Sequence, residues 1–107
     1  MSSESSRKLW IITLPQQLKE DVRVYGIRKG LKIWETVDEA IDAYLKTFKE
    51  QGAIEKQVHE SESVEDWSIQ IEREKYKQLK ITAIENDVRI YDVINTALYR
   101  LVYPEES

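Results

Sequence analysis

The chain has 107 residues, 34% of them charged, no cysteine and a formal net charge of −4. That length allows one small domain, or two very small units sharing one core, and excludes the large enzyme folds. Without cysteine there is no disulfide framework or thiolate metal site. Apolar runs reach only about four residues, against about 20 for a membrane span.

The opening stretch, Met1-Ser-Ser-Glu-Ser-Ser, is polar and lacks the apolar core of an export signal, so a cytoplasmic protein is expected. Residues 1–7 read as a flexible arm ending in Arg7. The next residues, Leu-Trp-Ile-Ile-Thr-Leu at 9–14, predict a strand in which Trp10, Ile12 and Leu14 alternate with Ile11 and Thr13. Pro15 suits the first turn of a helix, where its missing N–H would be unpaired anyway. Leu18, Val22, Tyr25 and Gly26 then fall at helical spacing. Lys29-Gly30 ends this helix with a glycine able to adopt a left-handed cap.

A second helix is expected from Ile33, with Val37, Ala40, Ile41 and Tyr44 on one face, running to Gln51 before Gly52. Residues 8–51 make the first unit. Residues 52–65 are polar, acidic and aperiodic, which predicts a linker; the single histidine, His59, lies there. Residues 66–103 then repeat the pattern. Trp67, Ile69 and Ile71 alternate with Ser68 and Gln70, which fixes the inward and outward faces of both strands. Tyr76, Leu79, Ala83 and Ile84 predict the inner face of a third helix, ended by Asn86-Asp87. Ile90, Ile94, Ala97, Leu98 and Leu101 predict that of a fourth, ended before Pro104.

The two units are copies. Setting each residue against the one 57 places later aligns about 35 positions without a gap, with Trp10/Trp67, Ile12/Ile69, Ile27/Ile84, Ile33/Ile90 and Ala40/Ala97 identical. A single strand–helix–helix unit leaves its strand unpaired and buries too little surface. Two of them can pair their strands antiparallel over interlocked helices. The expected fold is therefore mainly α with a two-stranded antiparallel ribbon, in the order β-α-α-β-α-α.

Charge is distributed unevenly over this frame. Residues 1–34 hold seven Lys and Arg against three acids, residues 35–72 three against eleven, and residues 73–107 six against six. The acidic total argues at first against a nucleic-acid partner. Its concentration in one helix and the linker leaves the entries to both second helices basic, at Lys32 and Arg89.

Leu-Trp-Ile-Ile-Thr-Leu-Pro at 9–15, Lys-Gly-Leu at 29–31 and the duplicated order of elements resemble the ribbon-helix-helix family of DNA-binding regulators. The resemblance covers 8–48 and 66–102. It implies a tandem member whose two copies form an intramolecular pseudo-dimer, and a transcriptional regulator, by expectation a repressor, of a prokaryotic cell or of a host carrying a plasmid or virus. In the family the ribbon enters the major groove, so Ile11, Thr13, Ser68 and Gln70 are the implied base contacts. The start of the second helix grips phosphate. Relatives often carry Ser or Thr there; this chain has Lys32 and Arg89, which together with Arg7 and Lys8 are the implied phosphate contacts. Double-stranded DNA is the expected partner, with self-association on DNA. The competing expectation is an antitoxin or protein-interaction module, using the acidic linker or the C-terminal helix with Tyr99 and Tyr103. No membrane partner, cofactor or metal is expected. No phosphate loop, nucleophile elbow or metal-ligand spacing points to an enzyme.

Overall fold

The alternating residues of both predicted strands pair as one antiparallel ribbon, β1 (Arg7–Pro15) against β2 (Val64–Glu72). The computed structural model describes residues 7–51 and 64–103, with side chains over 8–46 and 64–103. The remaining elements are α1 (Gln16–Lys29), α2 (Ile33–Gln51), α3 (Arg73–Glu85) and α4 (Ile90–Val102), so the order is β-α-α-β-α-α. In the ribbon Ile11 faces Ser68, its own counterpart 57 residues on, with Leu9 opposite Gln70 and Thr13 opposite Asp66.

One side of this ribbon is apolar by period two, and the helices cover it. Ile12, Leu14, Ile69 and Ile71 are buried against Leu18 and Val22 of α1, Val37, Ile41 and Tyr44 of α2, Leu79 of α3, and Val93, Ile94 and Leu98 of α4. Each such aliphatic side chain contributes about 1.5–3 kcal/mol on burial. All belong to one cluster, so neither unit has a core of its own.

The half-buried residues cross between units as well. Trp10 of β1 stacks on Tyr76 of α3, with ring centroids 3.4 Å apart and planes 6° from parallel. Trp67 of β2 takes the Lys19 ammonium of α1 at 5.8 Å from its ring centroid. Lys19 is the residue aligned with Tyr76, so each strand leans on the first helix of the other unit. Lys75 of α3 bridges Asp38 and Asp42 of α2, at 3.4 and 2.9 Å.

Both turns between paired helices use a left-handed residue. Gly30 stands at φ 71° and Asp87 at φ 54°. Glycine adopts that conformation without a steric penalty and Asp tolerates it through its short polar side chain.

Four expectations change. Pro15 closes β1 and flanks α1, with ψ 138°, instead of sitting inside the first turn. β2 starts at Val64, two residues before the expected second unit, which shortens the linker; residues 52–63 lie outside the described residues. Arg7 is not part of a free arm: its backbone pairs with Glu72. Ile84, expected on the inner face of α3, is exposed. Helical spacing alone did not separate it from its neighbour Ala83, which is buried.

Candidate nucleic-acid interface

The outward ribbon face follows from strand parity. Leu9, Ile11, Ser68 and Gln70 are exposed on it, with Ile11 71% accessible. Because the pairing is antiparallel and centred on Ile11–Ser68, the two ends of the face differ. One end couples Leu9 with Gln70. The other couples Thr13 with Asp66, and the Thr13 hydroxyl donates to Asp66 Oδ1 at 3.0 Å. Thr13 has thus committed its proton, and a carboxylate shares the face with it. Gln70 has both a donor and acceptor on its amide, the pattern that matches adenine in the major groove. Ile11 offers only an apolar contact.

The end that carries Thr13 is held from behind. Asn95 of α4, fully buried, donates from Nδ2 to the Thr13 carbonyl at 2.9 Å. This bond ties the fourth helix to the first strand, across both units.

The starts of α2 and α4 are built alike. Lys32 N–H donates to Glu35 Oε1 at 2.8 Å, and Arg89 N–H donates to Asp92 Oδ2 at 3.2 Å. A carboxylate three residues inside the helix serves the N-cap backbone, as in one half of a capping box. Sequence reading counted the lost Ser or Thr cap but missed this substitute, although Lys-x-x-Glu and Arg-x-x-Asp are both visible at that spacing. The carboxylates also balance the cations locally. In α4 the Asp92 N–H also turns back onto the Arg89 carbonyl at 3.0 Å; the first N–H groups of a helix otherwise favour an anion.

Both cations are exposed. Arg89 donates to the Tyr91 hydroxyl and lies with Cζ 5.5 Å from its ring centroid. That hydrogen bond, the largest influence on it, raises the Arg89 pKa further, so its charge is fixed at any working pH. Lys8 is placed differently from the expectation. It shares strand parity with Trp10, and its ammonium lies 4.9 Å from the Trp10 ring centroid, away from the parity of Ile11 and Thr13. The Arg7 side chain lies outside the described residues, as does His59.

An open groove of about 610 Å³ runs along α2, lined by Leu31, Trp34, Glu35, Asp38, Glu39 and Asp42 among others. Its carboxylates oppose a phosphate backbone. Among the described residues no three acidic or histidine side chains converge as a metal site. None of their helices is long and apolar enough to cross a membrane. Tyr99 and Tyr103, read as a candidate partner surface, are half-buried and pack on each other at 4.8 Å between centroids.

No protein family, curated protein or solved structure matches the chain.

Proposed function

We propose that the two units form a tandem ribbon-helix-helix pseudo-dimer, and that the chain is a sequence-specific regulator placing its ribbon in the major groove of double-stranded DNA. The observation that carries the reading is the pairing of Ile11 with its own repeat counterpart Ser68. Two copies related by a two-fold axis must meet in this way, and the meeting point is the middle of a ribbon with one helix-covered side and one bare side. The bare side is about two strands wide, which a major groove about 12 Å across admits. In this reading Gln70 reads a base edge, Ile11 packs on a thymine methyl group, and Lys32 and Arg89 meet phosphates beside the helix starts.

The test is selection from a random pool of DNA duplexes at low salt, followed by binding isotherms of the enriched site at several salt concentrations. Gln70→Ala relaxes base preference at one position, at about 1–3 kcal/mol. Lys32→Ala and Arg89→Ala weaken binding to every sequence and each lowers the salt slope by about 0.9. Failure to enrich any sequence at low salt overturns the reading. Unchanged salt slopes overturn the phosphate assignment alone.

A second reading rests on the apolar character of the ribbon face, where Leu9, Ile11 and Val64 are exposed beside Asp66. That composition suits a protein partner as an interaction module of the antitoxin kind. A ribbon that binds no duplex but loses a co-purifying protein on Ile11→Ser favours it.

A further inference from the structure

Four aliphatic side chains stand in water on the helices that follow the strands. Val24 and Ile27 of α1 are 42% and 78% exposed, and Ile81 and Ile84 of α3 are 47% and 69% exposed. They occupy the same positions of the repeat, 57 residues apart. A single exposed isoleucine needs no explanation. The same branched pair bared on both copies, at i and i+3 and therefore on one stripe of each helix, is a duplicated surface.

The order of charge along the two stripes differs. On α3, Lys77 and Lys80 come before the apolar pair and Glu85 and Asp87 after it, all four exposed. None of the four has an ion-pair partner among the described residues. On α1, Glu20 and Arg23 come before the pair, 3.9 Å apart, and Arg28 and Lys29 after it.

That order decides which stripes suit each other. Two α1 stripes meeting about a two-fold axis set Val24 against Ile27 of the other copy and Arg23 level with Arg28, twice over. An α1 stripe on an α3 stripe is mixed. Run parallel, Arg28 is level with Glu85 and Glu20 with Lys77, but Arg23 is level with Lys80. Run antiparallel, Arg23 is level with Glu85, but Arg28 is level with Lys80 and Asp21 with Asp87. Two α3 stripes run antiparallel set Ile81 against Ile84 and Lys80 level with Glu85, twice over, with Lys77 level with the uncharged Val88. No like charges are level in that pairing, whereas two α3 stripes run parallel would set each charge against itself. Like charges facing each other are costly and complementary ones fix the register, so the α3 stripe suits a second copy of itself.

We propose that two copies of this chain pair through the outer faces of α3, antiparallel about a two-fold axis, with Ile81 on Ile84 and the lysine end of each stripe over the acidic end of the other. The contact is self-complementary, so it closes at the dimer. Two single helix stripes bury less than the roughly 1,200 Å² of a stable interface, so the association is weak and rises with concentration. It needs no nucleic acid, and its failure would leave the DNA reading untouched.

The test is sedimentation of the full chain at low salt and rising concentration, without DNA. The unmodified chain shows a mass that climbs with concentration towards twice that of the monomer. Lys80→Glu and Glu85→Lys each turn both level pairs from attraction to repulsion and weaken self-association at least about tenfold, or about 1.4 kcal/mol. Mixed in equal amounts the two variants recover it, because an acidic stripe now meets a basic one. Ile84→Gln, which changes no charge, shows the same loss. Arg23→Glu, an equal change of charge on the α1 stripe, leaves the association as it was. All these positions are exposed, and circular dichroism verifies that each variant keeps its helices. A chain that stays monomeric at the highest concentration overturns the proposal, as does a mass that grows past the dimer. So does an Arg23→Glu variant that associates less, which signifies that α1 takes part, or a mixture that fails to recover.

Discussion

Asn95 gives the sharpest test of how the two units are locked together. Its side chain has no exposed surface and its Nδ2 donates to the Thr13 carbonyl at 2.9 Å, while Oδ1 accepts no hydrogen bond among the described residues. Asn95→Ala takes the donor from that carbonyl, at about 1–3 kcal/mol, and leaves a small cavity worth about 1 kcal/mol more. The loss of about 2–4 kcal/mol corresponds, at about 4 °C per kcal/mol for a chain of this size, to a fall of about 8–16 °C in Tm. Thermal melts by circular dichroism at fixed protein concentration measure it. Asn95→Asp is more discriminating, because it replaces the donor by an oxygen and changes almost nothing in shape. A carboxylate there is buried and faces a carbonyl, and both effects raise its folded-state pKa above the unfolded value of about 3.9. A raised folded pKa means the penalty is absent below about pH 4 and grows as pH rises through the folded value. The Asp variant is therefore less stable than the Ala variant at pH 7, and the order closes or reverses near pH 3, where a protonated carboxyl can donate to Thr13. An Asp variant as stable as the unmodified chain at pH 7 would refute the assigned bond.

Two further perturbations probe the first unit. A Cβ at Gly26 would lie 2.7 Å from Thr36 Oγ1, which itself donates to the Lys32 carbonyl at 3.1 Å. Overpacking of about 1–3 kcal/mol exceeds the gain of about 0.8–1.0 kcal/mol in helix propensity, so Gly26→Ala destabilises in urea unfolding, and Thr36→Ala in the same chain restores most of the loss. Tyr44 is buried in the core and its phenol is pushed up to about 12 by that burial, against the opposing charge of Arg100. Its contribution to stability is complete below about pH 10 and is lost as pH rises through about 12. Burial raises the Tyr25 and Tyr76 phenols too, so phenolate absorbance on alkaline titration shows a spread of late phases, and Tyr44→Phe removes the one at about 12.

The elements were legible because the second copy resolves what the first leaves open. Leu9 and Ile11 are as apolar as Trp10 and Ile12, and only Ser68 and Gln70 reveal which parity faces outward. Gly30 and Asp87 announce the helix ends for a backbone reason that sequence carries directly. Other features were hidden for equally physical reasons. The Thr13–Asp66 bond is a product of register between strands more than 50 residues apart, and neither strand carries it alone. Ile84 sits one residue from buried Ala83, and an apolar residue beside a core stripe has the same spacing signature whether it turns in or out. Asn95 falls within the apolar stretch of α4, where its polarity suggests no partner until β1 is placed against it. The carboxylate caps at Glu35 and Asp92 are within reach of sequence, because their three-residue spacing from Lys32 and Arg89 is local.

On the tandem reading, duplication within one chain also changes what a two-stranded ribbon can recognise. In a homodimer both strands carry the same outward residues, so the two ends of the ribbon are identical and a symmetric partner is read. Here the copies have diverged at those same places, Leu9 against Asp66, Ile11 against Ser68 and Thr13 against Gln70. Antiparallel pairing sorts them into an amide–apolar end and a hydroxyl–carboxylate end. On the DNA reading, the first end suits an A·T pair, through Gln70 to adenine and Leu9 or Ile11 to the methyl group, whereas the second can accept only from a donor such as the cytosine amino group. The carboxylate also weakens the nearby phosphate attraction that a net charge of −4 already limits. The chain is therefore expected to select an asymmetric site in a fixed orientation. A strictly palindromic consensus from the random pool would contradict the assignment of distinct ends, even if the ribbon does bind DNA.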